Sequence, residues 1–382
     1  MVLIKFLRSN FSSKIQETKV ILPGFLLAVI VGYFSFLISE IIGEDILSFE
    51  KSPISPVMLA IIIGIFASNL ISIPKSFDPG LLFSGKKVLG FGIVLLGFQL
   101  SLSDIFVSGL EGIPVVLGCI IIGLIFTVFL SRMLGLPKRL GFLIAVGTSI
   151  CGVTAIVATG PIIRAKKEEI AYAVSVITVF GILATIGYPY LANYIFENHP
   201  AKVGFFLGTA VHDTSQVTGS ALLYADLFNQ PLALEIAVIT KLFRNICMII
   251  VLPMIAYFSS IYRENTQNYS TIDSKPKIKL SKYFPIFIIW FLLIATLRSL
   301  GDLSLEFTEK VFGVISEGIW REFGGDLKNL TVQVLVIALA AIGLNTRVAH
   351  LKELGLRPFA AGFFAASTVG LASYLLIMVI NP

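Results

Sequence analysis

Charge is scarce in this chain: Asp, Glu, Lys and Arg make up 14% of its 382 residues, against about 25% in soluble domains. Long hydrophilic stretches are missing as well, so there is no room for a separate soluble domain. Cysteine is sparse and odd in number. Cys119, Cys151 and Cys247 each lie inside an apolar run, which leaves disulfides and CxxC metal sites unsupported. Of the histidines, His199 and His350 fall in expected loops and support no metal role. No Ser/His/Asp set and no zinc spacing occurs, so neither an enzyme nor a cofactor is expected. Gly80-Leu-Leu-Phe-Ser-Gly-Lys-Lys87 nearly spells a P-loop, but Lys87 stands where Ser or Thr would hold magnesium and no strand precedes it. Nucleotide binding, and with it an ATP-driven pump, is excluded. The net charge of +6 is spread over loops and makes no nucleic-acid face. Residues 1–18 are basic and weakly amphipathic, and Val20–Ile42 is too long for the apolar core of a cleaved signal.

What fills the chain is apolar sequence, 56% of it. Candidate spans are Val20–Ile42, Pro56–Ile71, Leu81–Leu100, Ile113–Leu130, Leu140–Ile163, Ile170–Ile195, Val203–Leu227, Leu232–Tyr257, Tyr283–Leu297, Leu330–Leu344 and Phe359–Ile380. A helix crosses the hydrocarbon layer with about 20 residues. The expectation is an all-α polytopic membrane protein, a single transmembrane domain over residues 1–382 with about 9–11 transmembrane segments. Lysines and arginines near span ends mark the cytoplasmic side. Lys5, Arg8, Lys14 and Lys19, then Lys75, Lys86 and Lys87, then Arg132, Lys138 and Arg139, then Arg263–Lys282, then Arg347–Arg357 fall on alternate connections. This puts the N-terminus in the cytoplasm and the C-terminus outside.

Two polar knots interrupt the apolar runs: Gly147-Thr-Ser-Ile-Cys-Gly-Val-Thr-Ala155 and Gly208-Thr-Ala-Val-His-Asp-Thr-Ser-Gln-Val-Thr-Gly219. At membrane depth every backbone polar group needs an internal partner, and irregular backbone survives only where it is buried or lines a cavity. The basic connections Arg132–Arg139 and Arg164–Lys167 flank the first knot and both look cytoplasmic. Either both knots are re-entrant hairpins from opposite faces, or both cross as broken helices; the later spans keep their orientation in both cases. Half-helix N-termini at such breaks bind negative charge. Thr148, Ser149, Cys151, Gly152, Thr154, Thr214, Ser215 and Gln216 are therefore candidate substrate contacts, with close helix packing as the alternative for each small residue. His212 and Asp213, adjacent, are candidates for proton coupling. The competing role for His212 is to hold the break in place.

Lys241 and Arg244 lie well inside Leu232–Tyr257, three apart on one helix face, with Asn245 next to them. Buried cations need a partner. An oxyanion is one, matched by guanidinium; Asp213 or another carboxylate is the other. An internal repeat also emerges: Gly97–Leu110 aligns without a gap to Gly343–Leu356. One copy falls outside and one inside, which is the signature of an inverted-topology repeat carried by residues 81–131 and 329–380.

Thr148–Ala155, Val211-His-Asp-Thr-Ser-Gln-Val217, Thr240-Lys-Leu-Phe-Arg-Asn245, Gly92–Phe98 and Ala341–Asn345 together resemble the YeiH-type sulfate exporter family of bacterial membrane proteins. The match runs from about Leu81 to Leu356, and its ordered set of motifs is more specific than any one piece. The resemblance implies a dimeric secondary transporter with a mobile core and a fixed scaffold, akin to cation/proton antiporters and anion transporters. The chain departs from the crossed-helix order of that group, because the long span Ile170–Ile195 separates its two knots. The expected function is secondary transport of a small oxyanion, sulfate or sulfonate-like, exported with proton coupling. Its partners would be the inorganic or organic anion, protons or sodium, the bilayer and a second copy of the chain. A cation/proton antiporter using Asp213, or a non-transporting sensor or assembly protein, are the alternatives.

Overall fold

A computed structural model describes residues 2–42, 55–197, 199–255, 286–308, 310–346 and 356–382. Its contacts gather into two compact units. One comprises Met1–Gln99 and Phe291–Ala349, the other Leu100–Trp290 and His350–Pro382.

The first unit holds α1 (Val2–Glu40), α2 (Pro56–Leu70), α3 (Lys75–Gln99), α11 (Phe287–Thr308) and α12 (Glu317–Leu344). Ser55 starts α2 by accepting the Val57 N–H, with Pro56 at the first helical position, where its missing donor costs nothing. Glycines set the interhelical distances. A Cβ on Gly80 would lie 2.1 Å from the Ile21 carbonyl oxygen, and one on Gly64 would lie 2.8 Å from the Ala340 oxygen. α3 and α12 run antiparallel, with Gly85 beside Ile342 and Gly92 beside Leu335. A two-stranded turn, Lys310–Val311 with Ile315–Ser316, joins α11 to α12. Arg298 clasps that corner: it pairs with Asp302 at 2.8 Å and lies over the Phe98 and Trp320 rings, while the Trp320 indole donates to Asp302. The backbone contact at Gly80 makes a sharp prediction. Gly80→Ala should cost about 3 kcal/mol of stability in detergent melting, the upper end of overpacking. Gly318→Ala, with nothing within 4 Å, should be neutral or slightly stabilising.

The second unit holds α4 (Leu102–Met133), α5 (Lys138–Ser149), α6 (Val153–Ile162), α7 (Lys167–Ile195), α8 (Pro200–Ala210), α9 (Thr214–Phe228), α10 (Pro231–Ile246, its apolar path continuing to Ile255) and α13 (Leu356–Ile380). The two knots fall between α5 and α6 and between α8 and α9. Both are hairpins. Gly147 of α5 packs on Ile156 of α6, and Leu140, Ile144 and Ile156 share one core with α7 residues Ala173, Val176 and Ile177, so α6 folds back along α5. In the second knot, Gly204 faces Ala233 and Ile236, and Gly208 faces Ala237 and Thr240. α8 and α10 therefore run in the same direction, and α9 returns between them.

α7 serves as a ruler for the pair. Near its start Ile170 packs on Gly160 of α6. Midway, Thr178 and Gly181 meet Gln216 at the head of α9. Toward its end Asn193 bonds Tyr224, and Phe196 packs on Phe206. The hairpins thus come from opposite ends of α7 and meet tip to tip halfway along it.

Among the described residues, eight helices are long and apolar enough to cross a membrane, and α2 is a shorter apolar helix. This is an all-α polytopic membrane protein. The segment expected at Tyr283–Leu297 lies partly outside the described residues, and its described part belongs to α11, which runs on to Thr308, while Leu330–Leu344 is the end of α12, which starts at Glu317. Charged residues such as Arg298 and Lys328 end an apolar run without ending the helix. The second copy of the repeat, Gly343–Leu356, lies partly outside the described residues.

Candidate binding site at the paired hairpin tips

An α-helix leaves its last carbonyls and its first N–H groups without intrahelical partners, and two hairpin tips bring four such ends together. The C-terminal ends belong to α5 and α8. Lys241 and Arg244, both almost wholly buried, project from one face of α10 into them. The Lys241 ammonium donates to the carbonyls of Ile150 (3.3 Å), Val211 (3.2 Å) and His212. Arg244 donates through Nε to Ser149 (2.9 Å), through Nη1 to Thr209 (2.7 Å) and Val211 (3.0 Å), and through Nη2 to Thr148. Each cation bridges both tips. Positive charge at helix C-termini is the favourable sense of the dipole interaction. The sequence left an anion and a carboxylate as the possible partners of this pair; the partners are main-chain carbonyls. All three ammonium donors are engaged.

The N-terminal ends belong to α6 and α9, and they meet around Asp213. Asp213 is extended (φ −95°, ψ 151°) and caps α9. One carboxylate oxygen accepts from the Ser215 N–H (3.1 Å) and hydroxyl (2.5 Å). The other faces the turn at the head of α6: a Cβ on Gly152 would lie 3.0 Å from Asp213 Cβ and Oδ1. Gly152 has φ +67°, the region where a side chain is strained. α6 itself has no side-chain cap.

The sequence candidates sort into three groups. Thr154 is exposed, and Asp213 and Thr214 are half-buried; these are the least covered of the candidates at the heads of α6 and α9. Ser215 and Gln216 are buried and hold Asp213 in place. Gln216 accepts the Asp213 N–H at 3.2 Å and donates to the Thr178 carbonyl at 3.2 Å, filling the space that Gly181 leaves. Thr148, Ser149, Cys151 and Gly152 form the buried body of the first tip. Thr148 donates back to Ile144, and the Cys151 thiol rests on Met248. Asn245 is buried at the head of α9, where its amide donates to the Thr214 hydroxyl at 3.1 Å and its Oδ1 has no partner.

His212 is fully buried, its ring lies against the backbone of Thr148 on the first tip, and its carbonyl is held by Lys241. Adjacency to Asp213 in sequence does not become a side-chain bond, because the carboxylate turns to Ser215. Thr178, Gly181, Thr185 and Met248 were not anticipated. Thr178, Gly181 and Thr185 share one face of α7 at helical spacing, a weak signal that could have pointed to α9. No group of three His, Cys, Asp or Glu residues suited to a metal occurs among the described residues.

The fold and this site define a polytopic membrane protein with a buried, doubly cationic hub. The chain belongs to the family described as conserved hypothetical protein 698, whose profile matches residues 23–362. Among its relatives are a UPF0324 membrane protein of Streptococcus pneumoniae R6, 38% identical over 301 residues (78% of this chain, 82% of the relative). Others come from Fusobacterium nucleatum, 35% identical over 321 residues (83% and 88%), and from Streptococcus agalactiae, 34% over 338 residues (87% and 90%). These names place the relatives in a membrane and carry no sulfate-exporter designation. No solved structure matches the chain.

Proposed function

We propose that this protein is a secondary active transporter of a small oxyanion, sulfate or sulfonate-like, exporting it across a bacterial inner membrane with proton coupling. The observation that carries the reading is the buried pair Lys241 and Arg244 bridging both tips. The pair places positive charge at the hub beside Asp213, with Thr154 exposed at the head of α6 and Thr214 half-buried at the head of α9. Opposed hairpins also supply what midplane sites in transporters use, half-helix ends with irregular backbone buried in protein. The cations act by potential and by bracing, and the donors left for substrate are the N–H groups at the head of α6 with the Thr154 and Thr214 hydroxyls.

Inverted repeats fit the packing. The alignment that sets Gly97 on Gly343 also sets Gly123 on Val369. A Cβ on Gly123 would lie 2.9 Å from Val369, so α4 and α13 meet where a two-fold relation would place a residue against its own counterpart. The N-terminus is assigned to the cytoplasm and the C-terminus to the outside, and a homodimer is the proposed assembly. A second reading, a cation/proton antiporter, is favoured by the half-open Asp213 and the unpartnered Asn245 Oδ1.

Uptake of labelled sulfate into proteoliposomes tests the two. The oxyanion reading expects saturable flux that Thr154→Val lowers by about tenfold, the loss of one hydrogen bond to charge. Flux of sodium against a proton gradient, with none of sulfate, would move the assignment to the antiporter.

A further inference from the structure

The Asp213 carboxylate sits where a bound anion would sit. One oxygen is held by the N–H and hydroxyl of Ser215 at the head of α9, and the other faces Gly152 at the head of α6. Those are the two half-helix ends that would receive a negatively charged ligand. A second, independent feature points to a ligand there. Asn245 Oδ1 is 4% exposed in its residue, has no donor, and belongs to the amide that holds Thr214 at the start of α9. A buried acceptor without a donor, on the side chain that holds the residue next to Asp213, is where a bound group is expected.

Resting on the oxyanion reading above, we propose that Asp213 is a built-in surrogate for the substrate. Ionised, it holds the anion position; protonated, it releases that position, so the anion and one proton bind together. The step is an acid–base one: the carboxylate gains a single proton from water as the oxyanion enters, and returns it when the oxyanion leaves. A divalent oxyanion moving with one proton still carries one net negative charge, so an inside-negative potential drives it outward.

The charged and titratable groups around Asp213 are consistent with this exchange. α10 presents Lys241 and Arg244, which stay occupied by carbonyls of both tips. The α5–α6 turn presents Cys151, within electrostatic reach of Asp213, and its own segment presents His212. α7 contributes the Thr178 carbonyl and Gly181. Asp213 is the acid among them, and it is half-buried where Lys241, Arg244, Cys151 and His212 are buried.

The test uses the purified full-length protein in detergent, titrated calorimetrically with N-methylglucamine sulfate between pH 5.5 and 8. Binding should strengthen by about tenfold per unit fall in pH while Asp213 is ionised, the slope for one linked proton. Titration at one pH in two buffers of different ionisation heat should report about one proton taken up per sulfate, a measurement that needs no variant. Asp213→Asn, which keeps a helix-capping side chain, should bind sulfate at least tenfold more tightly at pH 8, with no proton uptake. Sulfate binding without proton uptake in the wild-type protein would overturn the surrogate role and leave the oxyanion reading standing. So would an Asp213→Asn protein that still takes up a proton, or one that is folded and has lost sulfate binding. Binding of sodium, and of no sulfate at any pH, would overturn both.

Discussion

Arg244→Ala should destabilise the protein by about 5 kcal/mol, the largest effect expected of any single truncation in the second unit. The guanidinium is buried and donates to four main-chain carbonyls, two on each hairpin. Val211 keeps a donor in Lys241, while the carbonyls of Thr148, Ser149 and Thr209 lose theirs. Each unsatisfied buried acceptor costs about 1–3 kcal/mol, and water entering the vacated space offsets part of that sum. Arg244→Lys tests geometry apart from charge. An ammonium brings positive charge to the same place, but it has three donors and no planar fork, so it cannot satisfy all four carbonyls as Arg244 does. It should recover less than half of the loss. Thermal melting of the detergent-solubilised variants reads this directly. An Arg244→Ala protein that melts within about 2 °C of wild type would mean that the tips do not depend on this brace.

The same pair marks the boundary of what the sequence could tell. Burial of Lys241 and Arg244 on one helix face follows from their spacing within an apolar run. Their partners do not follow, because a main-chain carbonyl carries no residue signature; every position has one. A charged residue in a sequence points the reader toward another charged residue or a ligand, and here the compensating negative ends are helix dipoles created by the fold. Both breaks were legible in the same way, from clustered Gly, Thr and Ser inside apolar runs. Whether they cross or return was not, since the loop charges fit both. The deciding facts are tertiary: Gly147 against Ile156, and the parallel course of α8 and α10 read from Gly204 and Gly208.

Gln216 and Ser215 show a subtler displacement. Their residue types suit an anion contact, and both lie at the tip, yet their hydrogen bonds go to Asp213 and Thr178. They orient the half-buried acid at the head of α9. The sign of that role was on a different helix, where Gly181 lacks the side chain that would collide with Gln216. Thr154, by contrast, is exposed in the first turn of α6.

Gly152→Ala should loosen both hairpins although it alters only one. A non-glycine residue at φ +67° and ψ −128° carries about 1–3 kcal/mol of backbone strain. The new methyl would also stand 3.0 Å from Asp213 Cβ and Oδ1 and 3.1 Å from its Cα, atoms of the opposite tip that cannot swing away as a long side chain could. Relief requires either the α5–α6 turn to distort or Asp213 to shift and release Ser215. The second route breaks the cap of α9, so the disturbance crosses from one hairpin to the other. Amide hydrogen exchange separates these outcomes, since local opening is read residue by residue. Faster exchange should appear at residues 150–155 and also at 213–216, with sulfate binding weakened in step. Gly187→Ala on α7, with nothing within 4 Å, should leave both segments protected. Exchange that rises at 150–155 alone would mean the tips touch without sharing load, and the Gly152–Asp213 contact would then be packing and no part of how the site is held.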